Sequence, residues 1–238
     1  MSIKLKHSGG NSVSLNPPTS APTSSEVAFK LPNADGSANQ VLKTDGSGNL
    51  SWVTPDYVKL ASASGDLNAY ELTFDNLDVA TYRSFDLIGV FQPNNDGETL
   101  RLRYRTGGAS GSNVSAGGYN YGWSEKKDAN TNNCTANANQ TKLLMTGTIG
   151  NDSSEGIYLN MRVSMAISGD STSVTQLGNS VTWTGTYREQ GNAFRGVNGT
   201  GHYYDNNIYP TGFQIHFGAG NIRLYSYCLY GIIRWAEY

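Results

Sequence analysis

From Ile157 to Met165 the chain alternates without a break. Ile157, Leu159, Met161, Val163 and Met165 fall on one side of an extended backbone, and Tyr158, Asn160, Arg162 and Ser164 on the other. A period of two suits a β-strand with one buried face, because successive side chains of a strand point to opposite sides. The pattern recurs along the chain. Leu72 and Phe74 alternate with Glu71 and Thr73, and Leu100, Leu102 and Tyr104 interleave with Arg101, Arg103 and Arg105. Phe85, Leu87, Ile88, Val90 and Phe91 form a fuller apolar run, followed later by Val181, Trp183 and Tyr187, by Phe213, Ile215 and Phe217, and by Ile222 and Leu224. No stretch has a helical period. About nine or ten strands joined by Gly- and Asn-rich turns are expected, which is an all-β pattern of sandwich or jelly-roll type.

Only 15% of residues are charged, below the roughly 25% of average soluble domains. The polarity comes from Gly, Ser, Thr and Asn, which favour turns and strands over surface helices. A net charge of -2 offers no clustered cations for a phosphate backbone, so nucleic acid is not an expected partner. No apolar segment is long enough for a signal peptide or a membrane span, and synthesis in a cytoplasm is expected. Cys134 and Cys228 are the only cysteines. A disulfide and two free thiols are both open to them, and a reducing compartment favours thiols.

Two regions are expected, 1–55 and 56–238. Residues 1–25 mix small polar residues with Pro17, Pro18 and Pro22 and read as an extended arm. Val27, Phe29 and Leu31, then Val41 and Leu42, then Leu50 and Trp52 form three short apolar runs. Asp35-Gly36 and Asp45-Gly46, ten residues apart, separate them and predict a three-stranded β-meander. Such a unit exposes Phe29, Leu31, Leu42 and Trp52 with little to cover them, so these residues are expected to serve oligomerisation or anchoring.

Candidate chemistry is sparse. His7, His202 and His216 lack metal-ligand spacing, no G-x-S-x-G elbow is present, and neither cysteine sits in a nucleophile motif. Gly196 to Gly201 and Gly218-Ala219-Gly220 lack the following helix of a phosphate cradle and read as turns. Asp45, Ser47 and Asn49 have calcium-loop spacing without the distal Glu, which a tight hairpin turn explains. Glu71, Asp75, Asp78, Asp86 and Asp96 include enough carboxylates for glycoside hydrolysis, though turn-forming and solvated roles account for them. No catalytic, cofactor or metal residue is therefore assigned. Arg101, Arg103 and Arg105 on one strand face are read either as an anion or sialylated-glycan platform or as cations paired across strands, and pairing is favoured. The segments YNYGW (Tyr119, Tyr121, Trp123) and HYYDNNIYP (Tyr203, Tyr204, Tyr209) read as aromatic loops suited either to stacking on sugars or to a subunit interface.

The stretch FKLPNADGSANQVLKTDGSGNLSWV, Phe29 to Val53, closely resembles a motif near the N-termini of virion structural proteins and tail fibres of tailed bacteriophages, particularly marine ones. A weaker likeness to the accompanying β-sandwich rests on Tyr82, Phe85-Asp86-Leu87, Asp96-Gly97, Leu100 to Arg103, Gly107-Gly108, Tyr119 and Asn221 to Tyr225. The resemblance implies a non-enzymatic virion component, commonly a homotrimer. Its N-terminal part would face capsid or tail proteins, and its sandwich would face outward toward host-surface glycan. With one motif copy and no repeated shaft, a short fibre, spike or capsid-surface protein is expected. A purely architectural decoration protein and a small polysaccharide depolymerase are the alternatives.

Overall fold

The computed structural model describes residues 3–23, 26–127, 131–167, 178–191, 193–205 and 208–233. The chain divides into two compact units, Met1–Pro55 and Asp56–Tyr238.

In the first unit, β1 (Ile3–Lys6) pairs antiparallel with β2 (Ser12–Leu15), and β3 (Val41–Thr44) pairs antiparallel with β4 (Leu50–Val53). The stretch expected to be a bare arm thus contains a hairpin. Its turn is closed by His7 N donating to Asn11 O at 2.8 Å and Gly9 N to His7 Nδ1 at 3.0 Å, with Gly10 at a φ of 93°. Ile3 and Leu5 alternating with Lys4 and Lys6 was the available signal.

The three-stranded meander is corrected to one hairpin with an attached bridge. Only the Asp45 turn joins strands. Asp45 Oδ1 accepts from Ser47 N at 2.7 Å and Asn49 N at 3.1 Å, and Oδ2 accepts from Asn49 Nδ2 at 2.5 Å. These bonds, led by the one from Asn49, hold the Asp45 carboxyl below its ordinary pKa. The residues of the supposed calcium loop are therefore used to close the turn. Asp35-Gly36 does something else. Trp52 Nε1 donates to Ala34 O at 2.9 Å, and a Cβ on Gly36 would come within 2.6 Å of the Trp52 ring, so this loop is folded under the indole. The run ending at Leu31 contributes a single bridge, Lys30 to Asn49, and that bridge is parallel.

The second unit contains β5 (Tyr57–Ala69), β6 (Glu71–Phe74), β7 (Tyr82–Pro93), β8 (Leu100–Thr106), β9 (Ser112–Asn113) and β10 (Tyr119–Lys127). It continues through β11 (Thr131–Gln140), β12 (Leu143–Leu144), β13 (Gly156–Ser164), β14 (Ser180–Arg188), β15 (Phe194–Tyr203), β16 (Gly212–Phe217) and β17 (Ile222–Ile233). One sheet has eight strands in the order β11-β10-β15-β14-β13-β7-β17-β5, and the other has β12-β8-β16-β6 with β9 beside β8. Every strand pair in the two sheets is antiparallel.

The pairings β5·β17, β6·β16, β7·β13 and β8·β12 match strands from opposite ends of the unit. They are the rungs of one long hairpin ribbon, with a tip between β8 and β12. Rolling the ribbon adds the β17·β7 and β16·β8 pairings and places alternate rungs in opposite sheets. This is the connectivity of a jelly roll, an all-β sandwich. Two insertions complete it, β9 to β11 at the ribbon tip and β14 to β15 after β13. Apart from short β9, both insertions join the larger sheet, and four strands lie beyond β13.

Between the sheets Phe85, Leu87, Phe91, Leu100, Leu102, Tyr104, Ile157, Leu159, Val163, Phe213, Ile215 and Phe217 are fully buried. The alternation of β13 survives intact, apolar residues inward and Tyr158, Asn160 and Arg162 outward. Tyr119 ties the tip insertion to the core. Its hydroxyl accepts from Tyr104 N at 2.9 Å and donates to Val114 O at 2.9 Å, while burial pushes its pKa up.

Candidate functional site: a polar trough on the larger sheet

Strand pairing fixes which side chains stand side by side on the outer face of the eight-stranded sheet. One row runs Cys134, Ser124, Asn198, Thr184, Asn160, Ile88, Cys228 from β11 to β17. The next runs Ala136, Gly122, Thr200, Thr182, Arg162, Asp86, Tyr230. From β10 to β13 every side chain in these rows is a hydroxyl, an amide, a guanidinium or a bare glycine. Short side chains on a twisted sheet leave a depression, and a groove of about 820 Å³ lies along both rows. Its floor presents Ser124, Thr182, Thr184, Asn160, Asn198 and Thr200. Strands stand about 4.8 Å apart, so the four from β10 to β13 set polar groups at regular intervals over about 14 Å.

One end of the groove is built more rigidly. Arg162 Nε and NH2 donate to the two oxygens of Asp86 at 2.7 and 2.8 Å, a bidentate pair of the strong kind. The Tyr57 hydroxyl also donates to Asp86, at 3.3 Å, and the Tyr57 and Tyr230 rings stack with centroids 4.6 Å apart. Burial and then the charge of Asp86 raise the Tyr57 pKa, keeping the phenol protonated and a donor. The floor offers both donors and acceptors at fixed spacing, and the stacked Tyr57 and Tyr230 rings lie beside Asp86. Hydroxyl-rich ligands are matched by such a surface.

Among the described residues Asp86 is the groove's one carboxylate, and Arg162 occupies both of its oxygens. The acidic residues that crowd together in sequence separate in space. Asp75 pairs with Arg105 at 2.7 Å on the smaller sheet, Asp86 pairs with Arg162 on the larger, and Asp78 accepts from Thr81 N at 3.1 Å in a turn. Among the described residues no three His, Cys, Asp or Glu side chains converge as a metal site would require. Cys134 and Cys228 are both free. They sit in one row six strand steps apart, about 29 Å, far beyond disulfide reach.

One aromatic segment expected to be a loop, YNYGW, is a strand, and the other is strand at His202 and Tyr203 and not at Tyr204, Asp205 or 208–210. YNYGW opens β10 and His202-Tyr203 closes β15, with Tyr119, Tyr121, Trp123 and Tyr203 turned inward. Tyr119 and Tyr203 are fully buried, with ring centroids 4.6 Å apart; Trp123 is buried and Tyr121 packs against the core. Core packing occupies the rings of Tyr119, Trp123 and Tyr203, so these three cannot stack on an external sugar. Tyr204 is exposed and Tyr209 half-buried. Neither lines the groove. Phe29, Leu31, Leu42 and Trp52 are 70%, 76%, 43% and 39% exposed.

Apart from Trp123 and Asp86, the groove residues went unassigned at the level of sequence, although a signal existed. In Thr182-Trp183-Thr184-Gly185-Thr186 the threonines alternate with a Trp, which marks one polar face of a strand. The chain matches no protein-family model, no curated protein and no solved structure.

Proposed function

We propose that the chain is a non-enzymatic structural protein of a phage virion. It assembles as a homotrimer through its N-terminal unit and turns the jelly roll outward, with the trough receiving host-surface glycan. The observation that carries this reading is the apolar surface of the first unit. Phe29, Leu31, Val41, Leu42 and Trp52 are exposed around a two-stranded hairpin, and a lone hairpin is marginally stable in water. Copies of the chain or neighbouring virion proteins supply the missing cover, consistent with the resemblance of Phe29 to Val53 to phage attachment modules.

Sedimentation or mass photometry of the full chain checks the assembly. A trimer is expected, and Phe29→Asp with Leu31→Asp is expected to dissociate it while the main unfolding transition stays in place. A wild-type chain that remains monomeric at high concentration would overturn the reading. Glycan-array binding separates a receptor-reading protein from a purely architectural one. Filling the trough with Thr184→Trp is expected to weaken binding by about tenfold or more, since a buried side chain displaces several hydrogen bonds of about 1 kcal/mol each.

A further inference from the structure

The outer face of the five-stranded sheet is the opposite of the trough. Register places Glu71, His216 and Arg101 in one row, and Thr73, Gln214 and Arg103 in the next. Arg105 is fully engaged: Asp75 binds it through both oxygens, and Asn113, Gln214 and the Gly111 carbonyl also accept from it. The favoured cross-strand pairing holds at this position only. Arg101 donates to Thr99 Oγ1 at 3.1 Å and to the Gly218 carbonyl at 3.3 Å, and Arg103 Nε is buried with no hydrogen-bond partner. Neither has a carboxylate within ion-pair distance among the described residues.

Beneath these arginines lie two fully buried polar side chains with unused atoms. Gln214 accepts from Arg105 through Oε1, and its Nε2 has no partner. His216 Nδ1 lies 2.7 Å from the Phe217 carbonyl, which can only accept, so Nδ1 carries the proton and Nε2 is left with nothing. Tyr70 stacks on the imidazole at 5.4 Å. Unsatisfied buried polar atoms are costly, and three in two neighbouring rows call for an explanation. All of them, Arg103 Nε, Gln214 Nε2 and His216 Nε2 once protonated, are donors. Arg101, Arg103 and Lys142 add positive charge; burial and then the two arginines lower the Lys142 pKa.

We propose that this face holds an oxyanion, a carboxylate or sulfate group such as an acidic polysaccharide carries, between Arg101, Arg103 and Lys142 and against Gln214 and His216. The anion supplies countercharge to Arg103 and Lys142 and the acceptor that the buried Arg103 and Gln214 nitrogens lack, and His216 Nε2 joins them as a donor on protonation. It does not depend on the trough or on the virion reading.

A pH dependence follows. Burial first, and then Arg103, Arg101 and Lys142, lower the His216 pKa to about 4, against the bond to Phe217 that raises it. Glu71, opposite in register, is the carboxylate of the same row, and Glu98 is held by Ala219 N. The free imidazole is therefore neutral at pH 7. A bound anion favours the protonated ring, so its pKa rises in the complex and binding strengthens as pH falls from about 7 toward 5.

Imidazole NMR of the full chain tests this, titrating sodium sulfate, sodium glucuronate or glucose at ionic strength held constant with chloride. Saturable shifts of His216 with the anions, absent with glucose, are expected, together with an upward-moving His216 pKa. Sulfate keeps its charge over this range, so a gain at pH 5 belongs to the protein. Arg103→Gln is expected to weaken binding about tenfold or more, with partial recovery in Arg103→Lys. Response to glucuronate alone would assign an acidic sugar, and response to sulfate as well would assign the oxyanion itself. If the wild-type His216 resonance stays put with both anions, or Arg103→Gln binds as well as wild type, the site does not exist.

Discussion

Trp183→Ala is expected to destabilise the jelly roll by about 3–5 kcal/mol and lower its unfolding temperature by roughly 10 °C. Trp183 is buried on the inner side of β14, and its Nε1 donates to Met145 O at 2.8 Å. In register it stands opposite Gly199 of β15, which stands opposite Trp123 of β10. A Cβ at Gly199 would lie 2.2 Å from the Trp183 ring and 2.7 Å from Trp123 Cβ. The glycine is therefore the space into which the indole fits, and the ring fills what the glycine lacks. Truncating it opens a cavity and orphans the Met145 carbonyl together. Trp183→Phe keeps most of the volume and should cost less than half as much. Denaturation of the full chain measures both. Because Thr182 and Thr184 flank Trp183 on the trough floor, the proposed glycan binding should weaken in the alanine variant more than its residual fold would allow. A cost below about 1 kcal/mol would mean that this half of the sheet is loosely packed.

The same glycines show why only part of the fold was legible. β13 was readable because each inward residue is a large apolar group. β15 was not, because Gly199 and Gly201 occupy inward positions, and Gly196 to Gly201 imitates a run of turns. The information that turns those glycines into strand residues lies in Trp123, Trp183 and Leu143, far away along the chain and adjacent only once the sheet is assembled. The aromatic segments were misread for a related reason. Tyr and Asn next to Gly suggest a loop, whereas a long sheet reaching beyond its partner sheet needs large inward rings to fill the gap. The ribbon topology follows from pairings between opposite ends of the unit, which no local period specifies. In the first unit the two Asp-Gly pairs are chemically alike. What separates them is that Trp52 covers one of them, again a contact beyond local pattern.

Where the larger sheet overhangs the smaller one, its inner face changes character, and Arg195 shows how. Inward positions of β10 and β15 there carry Glu125 and Arg195, both buried. Arg195 donates to Glu189 through NH2, its NH1 lies 3.8 Å from Glu125, and Lys127 approaches Glu189 at 3.7 Å. Arg195→Ala leaves Glu125 buried without its countercharge and is expected to cost about 3–5 kcal/mol near neutral pH. The double variant Arg195→Met with Glu125→Leu removes the charge together with its partner and leaves Glu189 to Lys127. It should recover most of the stability, since apolar groups of similar volume replace a buried pair at little cost. A thermodynamic cycle of Arg195→Met, Glu125→Leu and the double, measured by urea denaturation, reads the coupling directly. Additive costs would show that Arg195 and Glu125 do not act as a pair and that the overhang is held by packing alone. Strong coupling would mean that extending the sheet to build a trough on one face required an ionic network on the other, where no partner sheet exists to bury apolar side chains.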